Sequence, residues 1–82
     1  MKVRVTQPVF AEAASTLVNA ANKHAETILI KKGDWVVDAK SLLGVLALSL
    51  QPDQEIDISF PEDNTDIENT LIQSGLFEKV TV

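Results

Sequence analysis

The sequence predicts an α+β fold, a four-stranded antiparallel sheet with three helices on one face, in the order β-α-β-β-α-β-α. Three observations lead there. Residues 1–7 and 55–60 alternate apolar and polar side chains, the period of a half-buried strand. Residues 11–24 repeat apolar side chains at three- and four-residue steps, the period of a helix with one buried stripe. Between the helical stretches lie two short strands joined by Lys32-Gly33-Asp34, where Gly33 is free to take the positive φ of a hairpin turn.

The elements follow in chain order. Val3 and Val5 share one face of the first strand, with Lys2, Arg4 and Thr6 on the other, and Pro8 ends it for want of an amide hydrogen. Ala11, Ala14, Leu17, Val18 and Ala21 form the stripe of the first helix, whose many alanines allow close approach to a sheet. Asn22, Lys23 and His24 bring polar and basic character towards its C-terminus, as the helix dipole favours. Residues 27–31 and 35–38 are the hairpin strands. Ser41 suits the N-cap of a second helix running to about residue 48, because its hydroxyl accepts from unpaired first-turn amides. Pro52-Asp53 makes a turn into the fourth strand, where Ile56, Ile58 and Phe60 alternate. A last helix begins at Asn64 or Thr65, buries Ile67, Leu71 and Ile72, and stops near Gly75. The tail, residues 76–82, alternates weakly; an extra extended segment and a frayed end both fit it.

At 82 residues the chain has room for one domain and one modest core, and 45% hydrophobic residues suffice to pack it. There are no cysteines, which removes disulfides, thiolate metal sites and cysteine catalysis together. The net charge of −5 and scattered basic residues argue against a nucleic-acid surface, which needs a basic stripe. No apolar run approaches membrane-spanning length, and no signal-like segment opens the chain, so the expectation is a soluble cytoplasmic protein that does not bind membranes. Glu62, Asp63, Asp66 and Glu68 form an acidic cluster that dipole compensation and capping explain; no calcium-loop spacing is present, and no metal or cofactor is expected. No serine–histidine–carboxylate set or glycine-rich phosphate loop can be assembled, so the chain is not expected to be an enzyme.

Three stretches carry a resemblance. Residues 11–23, AEAASTLVNAANK, are similar to the first helix of the HPr family, the histidine-containing phosphocarriers of the bacterial sugar phosphotransferase system. Lys40-Ser41-Leu42-Leu43-Gly44-Val45 resembles the family's regulatory-serine signature, and Glu55-Ile56-Asp57-Ile58 its fourth strand. The resemblance implies an HPr-like open-faced sandwich, the same arrangement that the periodicities give.

The family's active site reads Gly-Ile/Leu-His-Ala-Arg-Pro at the start of the first helix. An imidazole takes the phosphoryl group, and helix amides and the arginine steady its charge. The matching stretch here is Pro8-Val9-Phe10-Ala11-Glu12-Ala13. Phe10 stands at the histidine position and has no nucleophilic atom; Glu12 stands at the arginine position and would repel phosphate. No catalytic residue is therefore expected. His24, the one histidine, falls near the opposite end of the predicted helix, where the dipole disfavours phosphate. Phe10 has two readings: exposed as a contact site for a partner, or folded back onto Leu42, Leu43 or the helix.

The resemblance also implies that Ser41 matches the serine that a bifunctional HPr kinase/phosphorylase phosphorylates in the Gram-positive branch, and that Leu42 and Leu43 match a docking patch. The expectation is a regulatory or docking module of carbon catabolite control, without phosphohistidine transfer, binding protein partners through Phe10, Leu42 and Leu43 and switched by phosphorylation of Ser41. HPr kinase/phosphorylase and a catabolite-control regulator are the partners implied. The alternatives are a phosphocarrier with a non-standard phosphoacceptor and a drifted HPr fold that binds an unrelated partner.

Overall fold

The strand–helix order is realised with one addition. The structure, a computed structural model, describes residues 1–61 and 64–80. Among these, the order is β1 (Lys2–Val5), α1 (Glu12–Ala21), β2 (Leu29–Lys32), β3 (Trp35–Asp38), α2 (Leu42–Leu48), β4 (Glu55–Ser59), α3 (Thr65–Gln73) and β5 (Phe77–Lys79). The strands form one antiparallel sheet in the order β3-β2-β4-β1-β5.

The sheet thus has five strands among the described residues, not four. β5 exists because β1 has a second free edge: Val5 is opposite Phe77, and Arg4 opposite Glu78. Phe77 is buried, and the Arg4 guanidinium donates to Glu78 at 2.7 Å. That hydrogen bond, then the carboxylate's charge, raises the Arg4 pKa above its ordinary value.

The inward face of the sheet supplies Val3, Val5, Ile30, Ile56, Ile58 and Phe77 to the core. Ala14, Leu17 and Ala21 of α1, Val45 and Leu48 of α2, and Ile67 and Leu71 of α3 close over them. α1 lies between α2 and α3. At Gly44 a methyl group would come within 3.1 Å of the Val37 Cβ, so glycine is what lets α2 lie close on β3. The opposite face of the sheet carries charge, including a Lys2–Glu55 pair at 3.4 Å.

Several boundaries move. α1 ends at Ala21, not His24: the Asn22 side chain and amide both donate to the Val18 carbonyl and close the last turn. Ala11 lies outside the helix and is exposed. β2 begins at Leu29, two residues later than the alternation suggests, although Ile28 is buried. α2 matches its expected range, and Asn64 caps α3 by accepting from the Ile67 amide at 3.1 Å. Ile72 is only half-buried. Glu62 and Asp63 of the expected acidic cluster lie outside the described residues, as do the last two of the tail. No described helix is long and apolar enough to cross a membrane.

Candidate functional site

The candidate site is the segment that enters α1 and the helix beside it. Pro8 ends β1's continuation, and the chain then turns over the end of the sheet. Val9 is buried, and its amide donates to the Leu50 carbonyl at 3.0 Å, just past the end of α2. The next side chain, Phe10, points outward and is 73% exposed. With that exposure it is not packed against Leu42, Leu43 or the helix.

The backbone then enters α1 through an unusual residue. Ala11 has φ 51° and ψ −115°, a conformation in which glycine is at ease and alanine is strained. The turn is held by the Ala13 amide donating to the Phe10 carbonyl at 3.1 Å. No side chain caps α1. Segment 8–13 carries a single charge, that of Glu12 in the first turn, where a carboxylate suits the helix dipole. Among the described residues, two more non-glycine residues take positive φ, Ser49 at 49° as the C-cap of α2 and Asp53 at 70° in the following turn.

α2 presents a different surface. Its seven residues, Leu42-Leu43-Gly44-Val45-Leu46-Ala47-Leu48, include no polar side chain. Val45 and Leu48 are buried, while Leu43 is 82% and Leu42 41% exposed. Ser41 caps the helix: its Oγ accepts from the Gly44 amide at 3.2 Å. At the other end the Lys32 ammonium donates to the Leu48 carbonyl at 2.7 Å, satisfying a last-turn acceptor. Trp35 stands beside this end, lining a shallow hollow with Lys32, Ala47 and Leu48, and is 67% exposed.

The expected residues are therefore spread along α2, not gathered at a point. The Val9–Leu50 bond places Phe10 by the helix's C-terminal end; Ser41, Leu42 and Leu43 open its other end, about 10 Å away along the axis. Trp35 and the neighbouring Val36 are exposed apolar residues that the strand pattern alone does not single out. A tryptophan in a hairpin strand is the available signal, but its exposure depends on β3 being an edge.

His24 lies past the end of α1, with Nε2 3.0 Å from Thr70 Oγ1. The Thr70 hydroxyl also donates to the Asp66 carbonyl at 2.8 Å. Among the described residues no three His, Cys, Asp or Glu side chains converge as metal ligands would.

Comparison with known proteins agrees with this architecture. The family model described as "PTS HPr component phosphorylation site" matches residues 1–71. The chain is 28% identical to the phosphocarrier protein HPr from Bacillus anthracis str. Ames, with a TM-score of 0.75 and coverage of 90% of this chain and 88% of that one. It is 21% identical to HPr-C-His from Thermoanaerobacter tengcongensis, with a TM-score of 0.79 over 89% of this chain and 85% of that one. It is 23% identical to a histidine-containing phosphocarrier protein of Mycoplasma, with a TM-score of 0.80 over 90% and 88%. At 21% and 23% identity the last two likenesses concern the fold alone.

Proposed function

Because the chain belongs to the HPr family of the phosphotransferase system, whose members are protein carriers and not enzymes, we propose that it is a cytoplasmic docking or regulatory module that does not pass phosphate through a histidine at the start of α1. The observation that carries this reading is the outward Phe10 at the position that the resemblance assigns to the phosphorylated histidine. A benzyl side chain accepts no phosphoryl group. The one charge nearby in sequence, Glu12, opposes a phosphate. His24 is a poor substitute: it lies past the C-terminus of α1, where the helix dipole disfavours a phosphate.

What the surface offers instead is apolar contact. Leu42 and Leu43 at one end of α2 and Phe10 by the other are large exposed side chains on a helix without a polar residue. Between them the helix exposes only apolar side chains, which a protein surface could cover. A protein partner of carbon catabolite control would bury them.

Ser41 is the switch in this reading, phosphorylated by HPr kinase/phosphorylase. Its Oγ already faces the first-turn amides of α2 through the Gly44 bond, so a phosphate there would meet unpaired donors. With seven residues, α2 lends only a small dipole, and the family signature around Ser41 is the stronger support. The test is a mass spectrum after incubation with HPr kinase/phosphorylase and ATP. One added phosphate, absent in Ser41→Ala, is the expected result. No phosphate on the folded chain would reduce Ser41 to a helix cap and remove the switch.

A further inference from the structure

The two edges of the sheet are built differently. On the β5 edge, Glu78 pairs with Arg4 at 2.7 Å and Lys79 with Glu68 at 2.6 Å. Charged side chains on an edge discourage the addition of another strand. The β3 edge has no ion pair among the described residues, and it carries Trp35 and the 54%-exposed Val36. Strand alternation sets Trp35 on the helix side with Val37 and Val36 on the open face with Asp38. Apolar surface therefore flanks this edge above and below.

The phase of the ladder identifies which backbone groups are free. The Ala39 amide donates to the Ile28 carbonyl at 2.9 Å, and Leu29, Ile30, Lys31 and Lys32 lie opposite Asp38, Val37, Val36 and Trp35. Bonded and non-bonded pairs alternate in an antiparallel ladder. Bonding at Ala39 assigns the inward groups to Val37 and Trp35, so Val36 and Asp38 turn theirs outward. The Asp38 carbonyl accepts from the Ser41 amide at 2.9 Å, which leaves both groups of Val36 and the amide of Asp38 available.

We propose that β3 takes up an extended segment of another protein as a sixth strand centred on Val36, and that this segment has a basic–apolar–basic alternation. Asp34 and Asp38 flank Val36 two residues to either side. One Asp38 oxygen accepts from the Lys40 amide at 2.8 Å, and the side chain is exposed. Lys31, opposite Val36 on the open face, is also opposite Asp57 of β4. A second copy of this chain paired about Val36 would set Asp34 against Asp38, like charges directly opposed in a chain of net charge −5. A partner with lysine or arginine at those two places has the complementary charge, and Trp35 would cover the added strand from the helix side. Trp35 also borders the C-terminal end of α2, but the free backbone groups of Val36 and Asp38 lie on the sheet edge, so the inference does not depend on Phe10 or Ser41.

The probe is the peptide acetyl-Gly-Lys-Thr-Val-Thr-Lys-Gly-amide, titrated into the isotope-labelled full chain and followed by amide NMR shifts. Saturable shifts at Val36 and Asp38, with slowed exchange of the Val36 amide, are expected. Val36→Pro removes the outward donor at an edge position that tolerates proline, and it weakens binding roughly tenfold. The same peptide N-methylated at its central valine tests that bond from the other side and leaves the chain unaltered. The peptide with glutamate for lysine does not bind. The proposal is overturned if no saturable shift occurs at Val36 and Asp38, if the acidic peptide binds equally well, or if N-methylation leaves the affinity unchanged.

Discussion

The amide of Val9 donates to the carbonyl of Leu50 at 3.0 Å, and both side chains are buried. This one bond joins the chain entering α1 to the chain leaving α2. Val9 turns inward and Phe10 outward, and the left-handed turn at Ser49 brings Leu50 to the place where it can accept. The exposure of Phe10 is thus a property of the fold around it, not a loose side chain.

If Phe10 is held outward in this way, its removal is cheap. Phe10→Ser and Leu43→Ser should each alter unfolding stability by less than about 0.5 kcal/mol in urea titrations. A packed phenylalanine would lose about 3–5 kcal/mol on truncation, so a loss of that size at residue 10 would mean that the side chain is inside.

Ala11 has φ 51° and ψ −115°, a conformation that costs an L residue on the order of 1–3 kcal/mol. Ala11→Gly removes the strain at the expense of about 0.5–1 kcal/mol of added chain freedom. A net stabilisation of roughly 1 kcal/mol is expected from the shift in the urea midpoint. An unchanged or lower midpoint would show that the turn is not strained.

Ser41→Ala should cost about 1 kcal/mol, since the Gly44 amide loses its cap, whereas Ser41→Asp should stay within about 0.5 kcal/mol of the parent. Thermal unfolding of the two variants distinguishes them. Equal loss in both would mean that the hydroxyl is not capping α2.

The Lys32 ammonium reaches the Leu48 carbonyl at 2.7 Å. Lys32→Met keeps the length and removes the charge, and should lower stability by about 0.5–1 kcal/mol. An unaltered melting temperature would mean that solvent serves that carbonyl equally well.

What could be read from the sequence was local. The β3 strand, the bounds of α2, the Ser41 cap and the start of α3 at Asn64 or Thr65 follow from turn residues, period and capping chemistry within a few positions. β5 does not: Leu76 and Phe77 are adjacent and both buried, which breaks alternation, and the strand forms only by meeting β1 from the far end of the chain. The direction of Phe10 was undecidable in Val9-Phe10-Ala11, because the distant Leu50 determines which of two adjacent apolar residues turns in. An alanine gives no sign of positive φ, and Trp35 gives no sign of exposure until the strand order makes β3 an edge. Of the candidate site, the sequence names residues but not their arrangement: Phe10 and Ser41 stand by opposite ends of α2.

The most direct measurement is phosphoryl transfer itself. The chain is incubated with phosphoenolpyruvate and the general energy-coupling kinase of the phosphotransferase system, beside an ordinary histidine-bearing HPr, and acid-labile phosphate is counted by intact mass. No phosphate on this chain, with full labelling of the ordinary HPr, is the predicted result. Acid-labile phosphate on the chain, lost in His24→Ala, would make it a carrier with a relocated histidine and contradict the docking-module reading.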